Sequence, residues 1–303
     1  MPPLPPRSHL YVPADQPRFL RGATRSDADA LILDLEDAVA PGHKDEARAA
    51  AVAFALARRT GGPELWVRIN TGPRGLDDAR ALLATGRIDG LWIPKAAAGA
   101  DLDALTAAVS AAAASTAAVS AAVSGAAPAV APGAVPAVAL GLLVESAAGL
   151  LTLGATAPHP AVRRVQLGEV DLRADLRMPP DPGDHLLDWA RGLTVTHAVA
   201  HRLDSAVAPV CVHTGDHAAF RASSLHLRAL GFQGRACIHP DQVTIANEVF
   251  GTDPAELADA HALLDLFEHH QRRGSGAFRD GHGAMVDAAT VRRARDLTGR
   301  TTA

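Results

Sequence analysis

Charged side chains recur where the apolar segments of this 303-residue chain end. Two of them, Glu145 in LLVES and Asp171 in GEVDL, offer the hard carboxylate oxygens that Mg²⁺ takes while substrate and water complete its octahedron. Arg68, in VRIN, offers a planar two-donor fork to a carboxylate or enolate oxygen. Such a set suits stabilisation of an oxyanion. The other polar residues at these ends are Asp34, Glu36, Asp37, Asn70, Lys95, Glu169, His213 and His239.

Eight short β-type runs alternate with helical segments along the chain, which predicts an α/β fold with a parallel sheet covered by helices. Eight such units match a closed TIM (β/α)₈ barrel over residues 1–251, whose active site lies at the carboxyl ends of the strands. An open doubly wound sheet is the alternative, but its first turn, VPADQP, would then lack the usual glycines. The runs span residues 8–13, 29–37, 64–70, 90–95, 138–146, 162–172, 208–214 and 234–240.

Each charged candidate also has a structural alternative. Arg68 can form a salt bridge with Asp34 or Glu36 instead of meeting a substrate. Glu145 and Asp171 can pair with nearby arginines instead of a metal ion.

The lysine and histidine candidates likewise have both a functional and a structural explanation. Lys95 is one of two lysines in the chain, and it can act as a Schiff-base amine or as an ion-pair partner. The neighbouring Pro94 and the available metal ligands favour the ion pair. For His213 and His239, capping or packing is at least as good an explanation as catalysis.

Composition excludes several classes of partner. The formal net charge is −4 and no basic stripe is present, which argues against nucleic acid. Cys211 and Cys237 lie in apolar runs without metal or redox spacing, which favours a reducing compartment, the cytoplasm. The amino-terminal MPPLPPRSH lacks the order of a signal peptide. The uncharged segment 106–140 is rich in Ala, Ser, Gly and Pro, and we interpret it as a helix followed by a loop, not a membrane span.

Several motifs together resemble the HpcH/HpaI aldolase and citrate lyase β-subunit family, most closely its acyl-CoA lyases of the malyl-CoA and citramalyl-CoA type. The resemblance covers about residues 7–250. It implies a TIM barrel that binds Mg²⁺, with Mn²⁺ as a substitute, and that cleaves or forms a carbon–carbon bond between a 2-oxo acid and a coenzyme A thioester. The motifs are RSHLYVPADQPRFL, ADALILDLEDAVAPGHKDEAR, VRIN, GLWIPKA, LLVESAAGLL, LGEVDLRADL and LGFQGRACIHPDQV.

The resemblance also assigns residues. Glu145 and Asp171 match the family's metal ligands, and Arg68 matches its substrate-carboxylate arginine. From these positions we predict that Glu36 and Lys95 contact substrate. We further predict that Asp37 is catalytic, where with Glu36 it would orient water around the metal. The substrate acid would be of the oxaloacetate, pyruvate or glyoxylate class.

Two departures from the family pattern concern the pocket. Cys211 stands where the family commonly has an Asp on the seventh strand, and the Ala-rich insertion at 106–135 is longer than usual. Asp37 stands where the hydroxy-oxo-acid aldolase branch has a histidine, which makes that branch the less favoured one.

The last segment, residues 252–303, resembles the helical lid of the malyl-CoA and citramalyl-CoA lyase branch. The resemblance implies that Asp287 reaches a neighbouring subunit as the acid/base, with an ordinary helix N-cap as the alternative. Apolar faces over Ala255–Leu266 and Val286–Leu297, joined by glycine hinges, predict a homotrimer or hexamer in which another chain buries them. A tail that folds back on its own barrel is the alternative.

Two other functions stay open from the sequence alone. A metal-dependent 2-oxo-acid aldolase without a thioester would keep the metal pair and Arg68 but not need Asp287. A non-catalytic binding paralogue would keep the barrel and lose the metal.

Overall fold

The computed structural model describes residues 5–59, 61–124, 138–179, 184–281 and 283–299. The chain forms two compact units, of which the first is Pro6–Phe250 and the second holds the residues from Gly251 onward.

The first unit is a closed barrel of eight parallel strands, each paired with the next along the chain and the last paired with the first. The predicted TIM barrel is therefore confirmed. The strands are β1 (Ser8–Pro13), β2 (Ala30–Asp34), β3 (Glu64–Arg68), β4 (Gly90–Ile93), β5 (Ala139–Val144), β6 (Val162–Leu167), β7 (Ser205–Ala208) and β8 (Gly234–Cys237).

Helices connect consecutive strands and cover the barrel, as a parallel sheet requires. The helices of this unit are α1 (Pro17–Ala23), α2 (Lys44–Ala57), α3 (Gly72–Leu83), α4 (Ala100–Ser124), α5 (Ala147–Thr156), α6 (Glu169–Asp175), α7 (Asp188–Ala200), α8 (His217–Ala229) and α9 (Pro240–Val249), with 3₁₀ turns at Pro41–His43 and Asp184–Leu187.

Successive side chains along a strand pack into two different hydrophobic cores. In β2, Leu31 and Leu33 belong to the large core that includes helix residues such as Ala51, whereas Ile32 belongs to a smaller cluster with Trp66 and Trp92. The two indole rings lie 5.5 Å apart between centroids. This alternation explains why the strands appear in the sequence as continuous apolar runs.

Two of the predicted strands are placed wrongly. The sixth ends at Leu167, and GEVDL turns at Gly168 into α6, whose Leu172 is buried, so the apolar pattern continues across a strand–helix boundary. The seventh is Ser205–Ala208, earlier than the predicted 208–214. Its residues, SAVA, are mostly small and have weak strand propensity, whereas the β-branched run that follows is a loop.

The Ala-rich segment begins as predicted, because α4 continues to Ser124. The loop predicted after it falls on residues 125–137, outside the described residues. In the described parts of the chain, every helix is too short or too polar to span a bilayer.

The second unit contains two helices and a hairpin: α10 (Pro254–Arg272), β9 (Phe278–Arg279), β10 (Met285–Val286) and α11 (Ala288–Gly299). The glycine-rich segment between the helices thus carries an antiparallel pair, not only a hinge. Phe267, Val286 and Val291 are buried together within this unit. The apolar faces of the two helices therefore pack against each other within this unit. They do not need a second chain to bury them, so they no longer argue for an oligomer. The trimer or hexamer stays a prediction from the sequence.

Candidate active site

Arg68, at the end of β3, is held by the carboxylate at the end of β2. Its Nε donates to Asp34 Oδ1 at 2.8 Å and its Nη2 to Asp34 Oδ2 at 2.5 Å. Asp34 is 2% exposed. Burial alone would lower the pKa of Arg68, but the hydrogen bonds to Asp34 and the negative charges of Asp34 and Glu36 together outweigh it, so the pKa is raised and the guanidinium stays charged. The salt bridge that was the structural alternative for Arg68 is present.

Glu36 lies between two cations. Its Oε1 accepts from Lys95 Nζ at 2.8 Å, and its Oε2 lies 3.1 Å from Arg68 Nη1. Burial raises the pKa of Glu36, and the neighbouring Asp37 adds to that effect. Asp37 is mostly exposed and lies 3.8 Å from Arg68 and 4.0 Å from Lys95. Lys95 therefore forms the predicted ion pair.

Glu145 follows β5 and is 5% exposed. The backbone N–H of Lys95 donates to its Oε1 at 2.6 Å, and Lys95 adopts a φ of 49°, uncommon for a residue with a side chain. Gly168 lies against the same carboxyl group, because a Cβ there would be 2.8 Å from Glu145 Oε2. Burial, with smaller contributions from the negative charges of Glu36 and Asp171, raises the pKa of Glu145 to about 7.

Asp171 lies in the first turn of α6 and is partly exposed. Because α6 begins directly after Gly168, which lies against the Glu145 carboxyl group, Asp171 in its first turn lies on the Glu145 side of the barrel, and its negative charge adds to the raised pKa of Glu145. Glu169, one of the other polar residues near this strand end, is instead bound by Arg191, whose Nε and Nη2 donate to it at 2.6 and 2.9 Å.

Three polar residues from the other strand ends have structural roles or lie in solvent. Asn70 donates its side-chain amide to Asp78 at 2.6 Å. His239 caps α9 by accepting from the N–H of Asp241 at 3.2 Å. His213 is exposed in the loop after β7.

The sequence model described as HpcH/HpaI aldolase/citrate lyase matches residues 7–240. The chain belongs to this family. It is 32% identical to "(3S)-malyl-CoA thioesterase" from Cereibacter sphaeroides, in an alignment covering 98% of this chain and 93% of the relative. It is also 32% identical to "L-malyl-CoA/beta-methylmalyl-CoA lyase" from Rhodobacter capsulatus, covering 95% of this chain and 92% of the relative.

A solved structure resembles this member of the citrate lyase family over nearly its whole length. It is CitE from Mycobacterium tuberculosis in complex with magnesium, acetoacetate and coenzyme A. The TM-score is 0.72 at 25% sequence identity, and the match covers 98% of each chain.

The donor set of this family member suits a magnesium ion. Both Glu145 and Asp171 offer oxygen, and the Oε1 of Glu145 is already held by a backbone N–H while Oε2 faces Gly168. The negative charges of Glu36 and Asp171 raise the pKa of Glu145, and a divalent cation beside Glu145 would compensate that charge and favour the ionised carboxylate. Mg²⁺ is typically bound by one or two carboxylates, so the pair is sufficient.

Tyr11, which the sequence did not single out, lies beside Arg68 and is hydrogen-bonded to Gln166. The Tyr11 hydroxyl donates to Gln166 Oε1 at 3.0 Å, and the guanidinium carbon of Arg68 lies 5.3 Å from the centre of the Tyr11 ring. Tyr11 packs against the Trp66 and Trp92 cluster. The alternation in SHLYVP was the available signal, because it places Tyr11 on the same face as His9.

Asp287 lies in the second unit and caps α11. Its Oδ1 accepts from the backbone N–H of Thr290 at 3.1 Å and lies 3.2 Å from the Thr290 hydroxyl. The N-cap that was the alternative for Asp287 is thus present, and its catalytic role stays a prediction.

Proposed function

We propose that the protein is an Mg²⁺-dependent carbon–carbon lyase that splits a malyl-type or 3-hydroxy-3-carboxyacyl thioester of coenzyme A into a 2-oxo acid and an acyl-CoA, or joins them. The observation that carries the proposal is the set of contacts that joins Glu145 to Lys95, Lys95 to Glu36 and Glu36 to Arg68, with Asp171 in the first turn of the neighbouring α6. The relatives named malyl-CoA lyase and the CitE complex with magnesium and coenzyme A support the same class.

The reaction needs a proton to leave the substrate hydroxyl and another to reach carbon. As the carbon–carbon bond breaks, its electron pair passes to the thioester as an enolate, and the hydroxyl carbon becomes the carbonyl of a 2-oxo acid. The enolate then takes a proton at its α-carbon, so neither water nor an oxidant is consumed. Held by Glu145 and Asp171, Mg²⁺ would supply Lewis-acid stabilisation of the oxygen that gains charge.

Arg68 would neutralise the carboxylate or oxyanion of the substrate. A guanidinium has five N–H donors, and the hydrogen bonds to Asp34 use two of them while Nη1 faces Glu36. One N–H on each terminal nitrogen is left for a substrate oxygen. Because Asp34 fixes the plane of the fork, the donors need no rearrangement when charge develops.

Glu36, Lys95 and Asp37 would complete the polar wall. Glu36 holds Lys95 and Arg68 at a fixed separation, and the Lys95 side chain is half exposed, so its remaining N–H donors can reach a substrate carboxylate. Asp37 lies next to both cations and faces solvent, which suits a carboxylate that orients water or exchanges a proton at the mouth of the site.

Thioester hydrolysis is a second candidate, favoured by the relatives named (3S)-malyl-CoA thioesterase. In that reaction water attacks the thioester carbonyl, the carbon–sulfur bond breaks, and the products are a hydroxy acid and the coenzyme A thiol.

Product analysis separates the candidates. The protein is incubated with malyl-CoA and Mg²⁺, and the 2-oxo acid and the free thiol are measured together, with Glu145→Gln as the control for contaminating enzymes. We expect one 2-oxo acid for each thioester consumed and no thiol. Thiol without 2-oxo acid would establish the thioesterase. Cleavage of a free hydroxy-oxo acid without coenzyme A would establish the aldolase, and no turnover with no Mg²⁺ uptake would indicate the binding paralogue.

A further inference from the structure

Two imidazoles and a carboxylate converge at the junction of α7 and α8. His185 lies in the 3₁₀ turn before α7, Asp188 is the first residue of α7, and His226 lies near the end of α8. Across the described ranges, they are the one group of three or more His, Cys, Asp or Glu side chains whose ligand atoms all lie within 4.8 Å of one another.

Both histidines direct a ring nitrogen at the same carboxylate. His226 Nε2 lies 3.0 Å from each oxygen of Asp188, and His185 Nδ1 lies 3.2 Å from Oδ2. The two rings meet edge to face with centroids 4.8 Å apart. A neutral imidazole can move its proton to the other ring nitrogen, which leaves a lone pair on the nitrogen that faces Asp188.

The Asp188 carboxylate is held in place by Arg191. Arg191 Nη1 donates to Asp188 Oδ1 at 2.9 Å, and the same guanidinium is bound through two other nitrogens to Glu169. Arg191 is 2% exposed, so its position is set by packing as well as by charge. Oδ2, the oxygen shared by both histidines, is therefore aimed before any ion arrives, as outer hydrogen bonds do for metal ligands.

We propose that His185, Asp188 and His226 form a second metal site, for a divalent transition-metal ion of the Zn²⁺ class. Two imidazole nitrogens and one carboxylate oxygen are ligands for such ions, whereas Mg²⁺ prefers oxygen alone. Ligand atoms around a tetrahedral ion with bonds of about 2.1 Å lie roughly 3.4 Å apart, close to the 3.0 and 3.2 Å seen here. His185 is 77% exposed at its side chain, which opens a path for the ion and a position for water.

The ion would tie the turn at Asp184–Leu187 and α7 to α8. It would also differ in ligand chemistry from the site at Glu145 and Asp171, so each can be studied in the presence of the other. The positive charge of Arg191 works against a cation, but Glu169 binds that charge on the side away from Asp188.

The test titrates Co²⁺ and then Zn²⁺ into chelator-treated, full-length protein held in excess Mg²⁺. The variants are His185→Gln, His226→Gln and Asp188→Asn, and His261→Gln is the matched control because His261 is an exposed histidine of α10. We expect one equivalent of Co²⁺ with the visible spectrum of nitrogen ligation, an affinity lowered more than about tenfold in each site variant, and no change in the control. Zn²⁺ should raise the Tm of the wild type and of the control only.

Equal Co²⁺ spectra and affinities in the wild type and the site variants would overturn the proposal, since the ion would then lie on other histidines of the 14 in the chain. Melting of each variant without metal checks the fold. If His226→Gln unfolds, the exposed His185→Gln decides between the two outcomes, because loss of its side chain removes little packing. Lyase activity is not used as a reporter, so the outcome is independent of the proposed function.

Discussion

Asp34 binds Arg68 through two parallel hydrogen bonds, 2.8 Å from Nε and 2.5 Å from Nη2. The two residues lie opposite each other in the register of β2 and β3. Since the pair is planar and buried, it fixes the orientation of the guanidinium as well as its place. Arg68 is thus aimed by the barrel itself, before substrate binds.

Replacement of Arg68 by lysine tests this arrangement. Lysine keeps the charge but loses the planar fork. We therefore expect the variant to lose about 2–4 kcal/mol of transition-state stabilisation, which lowers kcat/KM roughly 30- to 1,000-fold. Arg163→Lys is the control, because Arg163 pairs with Asp204 at the opposite, amino-terminal end of β6. Unchanged kcat/KM in Arg68→Lys would remove Arg68 from the chemistry.

Gly168→Ala tests the space around Glu145. The added Cβ would lie 2.7 Å from the Glu145 Cβ, too close for a real contact, so the carboxyl group must move. We expect Mg²⁺ affinity and kcat to fall more than about tenfold. Gly192→Ala in α7, where a Cβ meets nothing within 4 Å, should keep both and raise stability by up to about 1 kcal/mol. Equal Mg²⁺ affinity in the two variants would contradict the assignment of Glu145.

His9 makes the barrel sensitive to acid. Burial, assisted by the charge of Arg164, lowers the pKa of His9 to about 3, so the folded state holds it neutral. The contribution of His9 to the free energy of unfolding is complete above pH 6.5, the approximate pKa of histidine in the unfolded chain. It is lost as the pH falls from 6.5 towards 3. His9→Gln cannot titrate and can still donate to the carbonyl of Pro6.

We therefore expect the difference in unfolding free energy between wild type and His9→Gln to shrink as the pH falls from 6.5 to 4, with a slope approaching 1.4 kcal/mol per pH unit. Urea unfolding at several pH values measures it. Parallel pH curves for the two proteins would show that His9 is charged in the folded state.

Asp287 can be tested for catalysis without loss of its cap. Asparagine is as good an N-cap as aspartate but cannot exchange a proton. If Asp287 is the acid/base predicted from the sequence, Asp287→Asn should lower kcat about 10²-fold or more at unchanged Tm. Asp287→Ala should lower the stability of α11 by about 1 kcal/mol as well. Full activity in Asp287→Asn would show that Asp287 is not the acid/base.

The barrel was predictable because six of its strands are bounded by residues that break the apolar run. The sixth strand was extended too far, since Leu172 is buried in α6 much as Leu167 is buried in β6, and an apolar count does not separate the two. The seventh was displaced because packing, not propensity, makes SAVA a strand.

The site was predictable where the fold rule alone decides it. Strand ends meet at one rim, and this placed Glu145, Arg68 and Lys95 together. The partner of Arg68 depended on register, which left Asp34 and Glu36 as equal choices. The group of His185, Asp188 and His226 was not predictable, because Asp188 and His226 are 38 positions apart on two helices. The sequence shows only the local HxxD spacing of His185 and Asp188.

Direct titration of Mg²⁺ by calorimetry tests whether Glu145 and Asp171 together hold the ion required for carbon–carbon cleavage. Wild type, Glu145→Gln and Asp171→Asn are compared, with the 2-oxo acid product measured on the same samples. We predict one Mg²⁺ site in the wild type, its loss in both variants, and loss of product in step with it. Wild-type Mg²⁺ affinity in either variant, or product formation that persists in EDTA, would show that this pair of carboxylates does not hold the catalytic ion.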